Sequence, residues 1–154
     1  MNMNFIKPDM DLVVNCLKQL KENETPLWGN MSPIGMIEHL SDSLNMASGN
    51  PMEKIEVPEK YWNKMIEILN SDAEFPKNFK ASFAPENRVI RNSTINDAIR
   101  ELKNVWENYD GVFSMNPKLI TNHPNYGPLN KKQWDRILSK HLTHHFKQFS
   151  ITHD

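Results

Sequence analysis

Asn130-Lys131-Lys132-Gln133-Trp134-Asp135-Arg136-Ile137-Leu138-Ser139-Lys140-His141-Leu142-Thr143-His144-His145-Phe146-Lys147-Gln148-Phe149 decides the reading of this chain. Trp134, Leu138, His141, His145 and Phe149 recur in steps of four, three, four and four, the period of an amphipathic α-helix. Asn130 with Gln133 has the form of a capping box, in which two side chains satisfy the free amides of the first turn. The same period puts His141 and His145 on the inward face, a little over one turn apart. Two imidazoles so placed can grip one metal ion. They can equally each bond a side chain or carbonyl of a neighbouring helix, because an unsatisfied buried polar group costs ~1–3 kcal/mol. His144 falls to the side of the stripe.

Other helices can be placed upstream of this one. Leu12, Val13, Cys16, Leu17 and Leu20 form one stripe and predict a helix over residues 9–21. Ser32-Pro33 is a start signal, with Ser32 as cap and Pro33 where a missing N–H costs nothing. The helix it opens carries Ile37, Leu40 and Leu44 and stops at Ser48-Gly49-Asn50-Pro51. A shorter helical stretch runs from Pro58 to Leu69. Residues 70–92, with Pro76 and Pro85, read as a long connection. Ile95, Ala98, Ile99, Leu102, Val105 and Trp106 predict a further helix from Ser93 or Thr94 to Tyr109, closed by Asp110-Gly111. The loop that follows, with Pro117, His123-Pro124 and Gly127-Pro128, runs to Leu129; connections of this length are often functional. No segment reads convincingly as a strand. The expectation is an all-α protein, a helical bundle forming one domain over residues 1–154, with long connections that leave its winding open.

Composition narrows the function classes. Hydrophobic residues make up 38% of the 154 and charged residues 24%, as in folded globular proteins. Eighteen basic residues against nineteen acidic ones give a formal charge of −1, which offers no one-signed field for nucleic acid or an anionic membrane. Cys16 is the only cysteine, so no internal disulfide forms, and no signal peptide or spanning stretch is visible. These readings predict a soluble, cytoplasmic protein with a small-molecule ligand.

A defined metal centre needs a third ligand, and His39 in Ile37-Glu38-His39-Leu40 is the best candidate. It shares a helix face with Met36, Ser43 and Met46, so that helix has two apolar sides, as one packed between neighbours would. His123 sits in a proline-flanked loop, where exposure is the ordinary expectation. His144 reads as a supporting or surface group, His153 as part of a disordered end, and Cys16 as core. There is no phosphate-binding glycine loop, no Gly-x-Ser-x-Gly elbow, no paired-cysteine zinc pattern and no His-Glu-x-x-His. The nine Met and four Trp residues fit core filling.

Three stretches taken together resemble the DinB/YfiT-like superfamily of metalloenzymes, and within it a branch of unknown function. They are Pro26-Leu27-Trp28-Gly29 with Met36-Ile37-Glu38-His39-Leu40, His123-Pro124-Asn125-Tyr126-Gly127-Pro128-Leu129, and Trp134 with His141-Leu142-Thr143-His144-His145-Phe146-Lys147-Gln148-Phe149. The resemblance implies a four-helix bundle wound up-down-down-up, with an extra short helix and long loops, often dimeric. It also implies a divalent metal ion, Zn²⁺ or Ni²⁺, held by three histidines whose matching positions are His39, His141 and His145. Relatives of known activity include transferases and isomerases dependent on small thiols. The expected function is therefore a metal-dependent transferase or hydrolase of unassigned substrate, with Glu38, His123 and His144 as candidates for catalytic support. The alternative is a helical bundle that binds metal without turnover, or that binds a protein partner and keeps its histidines for packing.

Overall fold

The computed structural model describes residues 5–77 and 88–153. The described residues form five α-helices: α1 (Met10–Leu17), α2 (Pro33–Ala47), α3 (Trp62–Asn70), α4 (Ile95–Met115) and α5 (Lys131–Gln148). A short 3₁₀ turn, Glu59–Tyr61, leads into α3. Residues 78–87 of the expected long connection lie outside the described part.

Helix starts follow their local chemistry. Ser32 accepts the Gly35 amide at 3.0 Å with Pro33 in the first turn, and Thr94 accepts the Asp97 amide at 3.0 Å. The capping box of α5 is complete: Asn130 Oδ1 accepts from the Gln133 amide and Gln133 Oε1 from the Asn130 amide, each at 2.9 Å. The apolar stripes meet in one core, with α2 packed most extensively on α4 and also touching α5. Val13, Leu17, Met36, Ile37, Leu40, Leu102 and Leu142 are fully buried there, each contributing roughly 1.5–3 kcal/mol of transfer free energy. Cys16 belongs to the same cluster, as expected.

Three expectations are corrected. α1 ends at Leu17, and the chain continues through tight turns (Gln19 N–H to Cys16 O, Leu20 N–H to Leu17 O, both 3.1 Å) that still bury Leu20. α4 runs through Asp110-Gly111 to Met115. Phe113, on the turn beyond the glycine, is buried edge-on against Tyr109, and that burial outweighs the ~1 kcal/mol cost of one helical glycine. Finally, the fold is mostly helical rather than purely so. β1 (Thr121–His123) and β2 (Gly127–Leu129) pair antiparallel, with Thr121 opposite Leu129 and His123 opposite Gly127. Strands of three residues carry too little alternation to be read from sequence, and this pair is held from outside. Thr121 Oγ1 donates to Ala47 O at 2.7 Å, and Pro124 O accepts the amides of Glu56 and Val57 at 2.9 Å.

Two sets of contacts position the elements that carry histidines. On α5, Ser139 and Thr143 grip the N-terminal segment through Ile6 O and Ile6 N, while Arg136 and Lys140 reach the last carbonyls of α3 at Leu69, Ser71 and Ile68. Cations are favoured at that negative helix end. On α2, the fully buried Glu38 accepts the Asn92 amide (2.8 Å), the Asn92 side chain (2.8 Å) and the Arg91 amide (3.0 Å). Arg91 then spans Asp42 of α2 and Glu101 of α4, both at 2.8 Å. The strap before α4 is thereby fastened to the helix that bears His39.

Removing the Glu38 carboxylate leaves those donors unsatisfied, so Glu38→Ala is expected to cost about 3 kcal/mol or more in urea denaturation. Two glycines make a contrasting pair. Gly127 has φ 89°, and an added Cβ would lie 3.0 Å from the Trp62 ring, whereas a Cβ at Gly111 meets nothing within 4 Å. Gly127→Ala is expected to destabilise by about 2 kcal/mol or more, and Gly111→Ala to stabilise by ~0.5–1 kcal/mol.

Candidate metal centre

α2 and α5 bring His39, His141 and His145 together. The Nε2 atom of His141 lies 2.8 Å from Nε2 of His39 and 2.8 Å from Nε2 of His145. The rings do not stack. They stand at 87° (His39 and His141), 84° (His39 and His145) and 59° (His141 and His145), so they fan around a common point. Among the described residues this is the one cluster of His, Cys, Asp or Glu side chains able to share an ion.

The proton count shows what such a centre suits. His145 Nδ1 faces Gln148 Oε1 at 2.7 Å, and an amide oxygen only accepts, so the His145 proton sits on Nδ1 and its Nε2 is a bare lone pair. His141 Nε2 holds at most one proton for its two neighbours. If it donates to His145, it cannot accept from His39; if it accepts from His39, two lone pairs face each other toward His145. Neutral rings therefore leave one contact unsatisfied, whereas a cation would meet three lone pairs once His39 and His141, like His145, carry their protons on Nδ1. An ion ~2.0–2.1 Å from imidazole nitrogens would require these contacts to open by only roughly half an ångström. Three imidazole nitrogens are a donor set that could hold a metal ion.

Electrostatics keep the donors in the form that binds metal. Burial, then the nearby Arg88, lowers the His39 pKa to about 4. Burial, then the charges of His145 and His39, pushes His141 well below 6.5; burial, then the charge of His39, does the same to His145. All three rings are thus neutral at pH 7, as ligands must be. Arg88 Nη1 is anchored on Asp42 at 2.8 Å, and its Nη2 lies 3.5 Å from His39 Nδ1.

The other candidates have different surroundings. Glu38, one position from His39, is engaged by the strap and does not join the cluster. His123, expected to be exposed, is buried against Tyr126 and Trp134, and its Nδ1 accepts the Asn125 amide at 3.0 Å; burial lowers its pKa to about 4. It too stands outside the cluster. His144 packs edge-on against both Trp28 and His145 and donates toward the Phe75 backbone, so it flanks the centre without converging on it. Cys16 is in the core, away from the cluster. The His153 ring lies 6.5 Å from Phe146.

Arg88, Asp42 and Gln148 border the centre and were not singled out from the sequence. Gln148 had a readable signal, since it follows His145 by three residues on one helix face. Arg88 had none, because its approach depends on a connection 49 residues from His39.

No curated protein and no solved structure gives a significant match to this chain. A family described as "Protein of unknown function (DUF1569)" matches residues 1–152. With the match covering nearly its whole length, the chain belongs to the DUF1569 family.

Proposed function

We propose that this chain binds one divalent metal ion through His39, His141 and His145 and uses it in transferase or hydrolase chemistry on a small-molecule substrate. The observation that carries the reading is the meeting of three neutral Nε2 atoms, on the buried His141 and His145 and the half-buried His39, whose protons cannot satisfy one another. With it we propose a DinB/YfiT-like four-helix bundle, wound up-down-down-up with one extra short helix, a reading that rests on the resemblance of the sequence stretches. Three neutral ligands leave the full charge of the ion uncompensated, and such a centre supplies the Lewis acidity that makes water or a small thiol nucleophilic near neutral pH. The chain's own part is to exclude water with the core around α2 and α5, to hold the His145 proton on Nδ1 through Gln148, and to set Arg88 beside His39.

A metal-binding bundle without turnover is the second reading. It is favoured by the commitments of the candidate proton carriers: Glu38 is taken up by the strap, and His123 bonds the Asn125 amide beside Trp134.

Metal analysis after dialysis against Zn²⁺ or Ni²⁺ tests the shared core of both readings. The parent is expected to hold one ion per chain, and His39→Ala, His141→Ala and His145→Ala each to lose it while retaining helical circular dichroism. An ion at 100 times its Kd should raise parent stability by about 2.7 kcal/mol and leave the variants unmoved. A parent that takes up no ion sinks the proposal. Turnover that depends on the ion would then separate enzyme from binder.

The pH dependence has a definite sign. Rings whose folded pKa lies below the unfolded value of 6.5 are neutral when folded and protonated when unfolded, so the unfolded state binds more protons as pH falls. Stability of the metal-free protein should therefore decline from about pH 6.5 downward, toward the value near 4 of His39 and His123. Urea midpoints at pH 7, 6 and 5, above the ordinary carboxylate range, measure this; equal midpoints would contradict the burial of neutral histidines.

A further inference from the structure

The motif Pro26-Leu27-Trp28-Gly29 plays no part in the three-histidine cluster, yet the structure ties it there through one side chain. Gln148, 5% exposed at the end of α5, donates from Nε2 to Trp28 O at 3.0 Å and receives His145 Nδ1–H on Oε1 at 2.7 Å. Its backbone carbonyl also accepts the Leu27 amide at 2.8 Å. A carbonyl oxygen can only accept, so the contact with Trp28 O dictates which end of the amide faces the loop. The oxygen end is thereby turned to His145, and the His145 proton is held on Nδ1.

From this geometry we infer that Gln148 is a positioning residue of the metal centre. The chain Trp28 C=O, Gln148 amide, His145 imidazole sets the tautomer and rotation of one ligand and aims its Nε2 lone pair into the cluster. The Trp28 loop acts on the centre through that amide. A histidine whose other nitrogen hydrogen-bonds an oxygen acceptor is a better oriented and more basic ligand. Gln148 serves this role for His145, and nothing on α2 replaces it: His39 Nδ1 faces the Arg88 guanidinium, a donor, at 3.5 Å. His145 is therefore the ligand whose orientation comes from a neutral amide on its own helix, three residues on.

This inference rests on the metal-binding reading, and Co²⁺ titration followed by visible absorption distinguishes the two. Failure of the parent protein to bind Co²⁺ overturns the metal-binding reading itself, and the inference with it. If the parent binds, Gln148→Leu, which removes the acceptor, is expected to weaken Co²⁺ by about 10–100-fold. Gln148→Glu keeps an oxygen acceptor for His145 while losing the donor to Trp28 O, and is expected to bind within a few-fold of the parent. A role confined to fastening the Trp28 loop predicts the reverse grouping, with Leu and Glu equally weakened. That grouping, or unchanged affinity in Gln148→Leu, overturns the inference. Should the Leu variant not fold, the Glu variant alone decides: retained affinity supports the role and a loss of tenfold or more refutes it.

Discussion

Drawing three imidazoles from two helices together, largely out of water, so that their Nε2 atoms converge is the constraint to which the rest of this structure answers. Each ring taken from water must be neutral and must find a use for every nitrogen. Burial supplies the first condition by lowering all three pKa values. The second is met only around the edge of the cluster, where Gln148 takes the outer nitrogen of His145. The inner nitrogens are left to one another, an arrangement that could hold a cation.

Holding rings from two helices in register requires that neither helix slide. α5 is pinned at both ends: the capping box starts it, Ser139 and Thr143 tie it to Ile6, and Gln148 ties its last turn to the Trp28 loop. α2 is pinned differently, by a buried carboxylate that gathers the strap before α4 and by an Arg91 shared between Asp42 and Glu101. The polar groups around the centre thus mostly hold position. Glu38 illustrates this, since its place beside His39 suggests chemistry while its bonds describe a fastening.

The hairpin shows how irregular parts are fitted against regular ones. Gly127 adopts a positive φ and lies flush on the Trp62 ring, and Trp62 in turn bonds Val57 O. His123 is drawn into the same layer between Tyr126 and Trp134. Trp62 and Gly127 are distant in sequence, and His123 meets Trp134 across the start of α5, so a loop histidine that reads as exposed is in fact buried.

By itself the sequence determined whatever depends on short spacings. These are the stripes of α2, α4 and α5, the caps at Ser32 and Asn130, and the four-residue step that puts His141 and His145 on one face. Such features are decided by interactions within a turn or two of helix, and periodicity reports them directly. His39 stands on a different helix, and its convergence with the pair on α5 is a tertiary fact. So are the passage of α4 through Gly111, driven by burial of Phe113, and the hairpin held by contacts to Ala47, Glu56 and Val57. So too are the capture of Glu38 by a strap more than fifty residues away and the turning of Gln148 by the Trp28 carbonyl. For His39, the hairpin, Glu38 and Gln148 the deciding partner is distant along the chain, and only packing brings its donor or its apolar surface within reach.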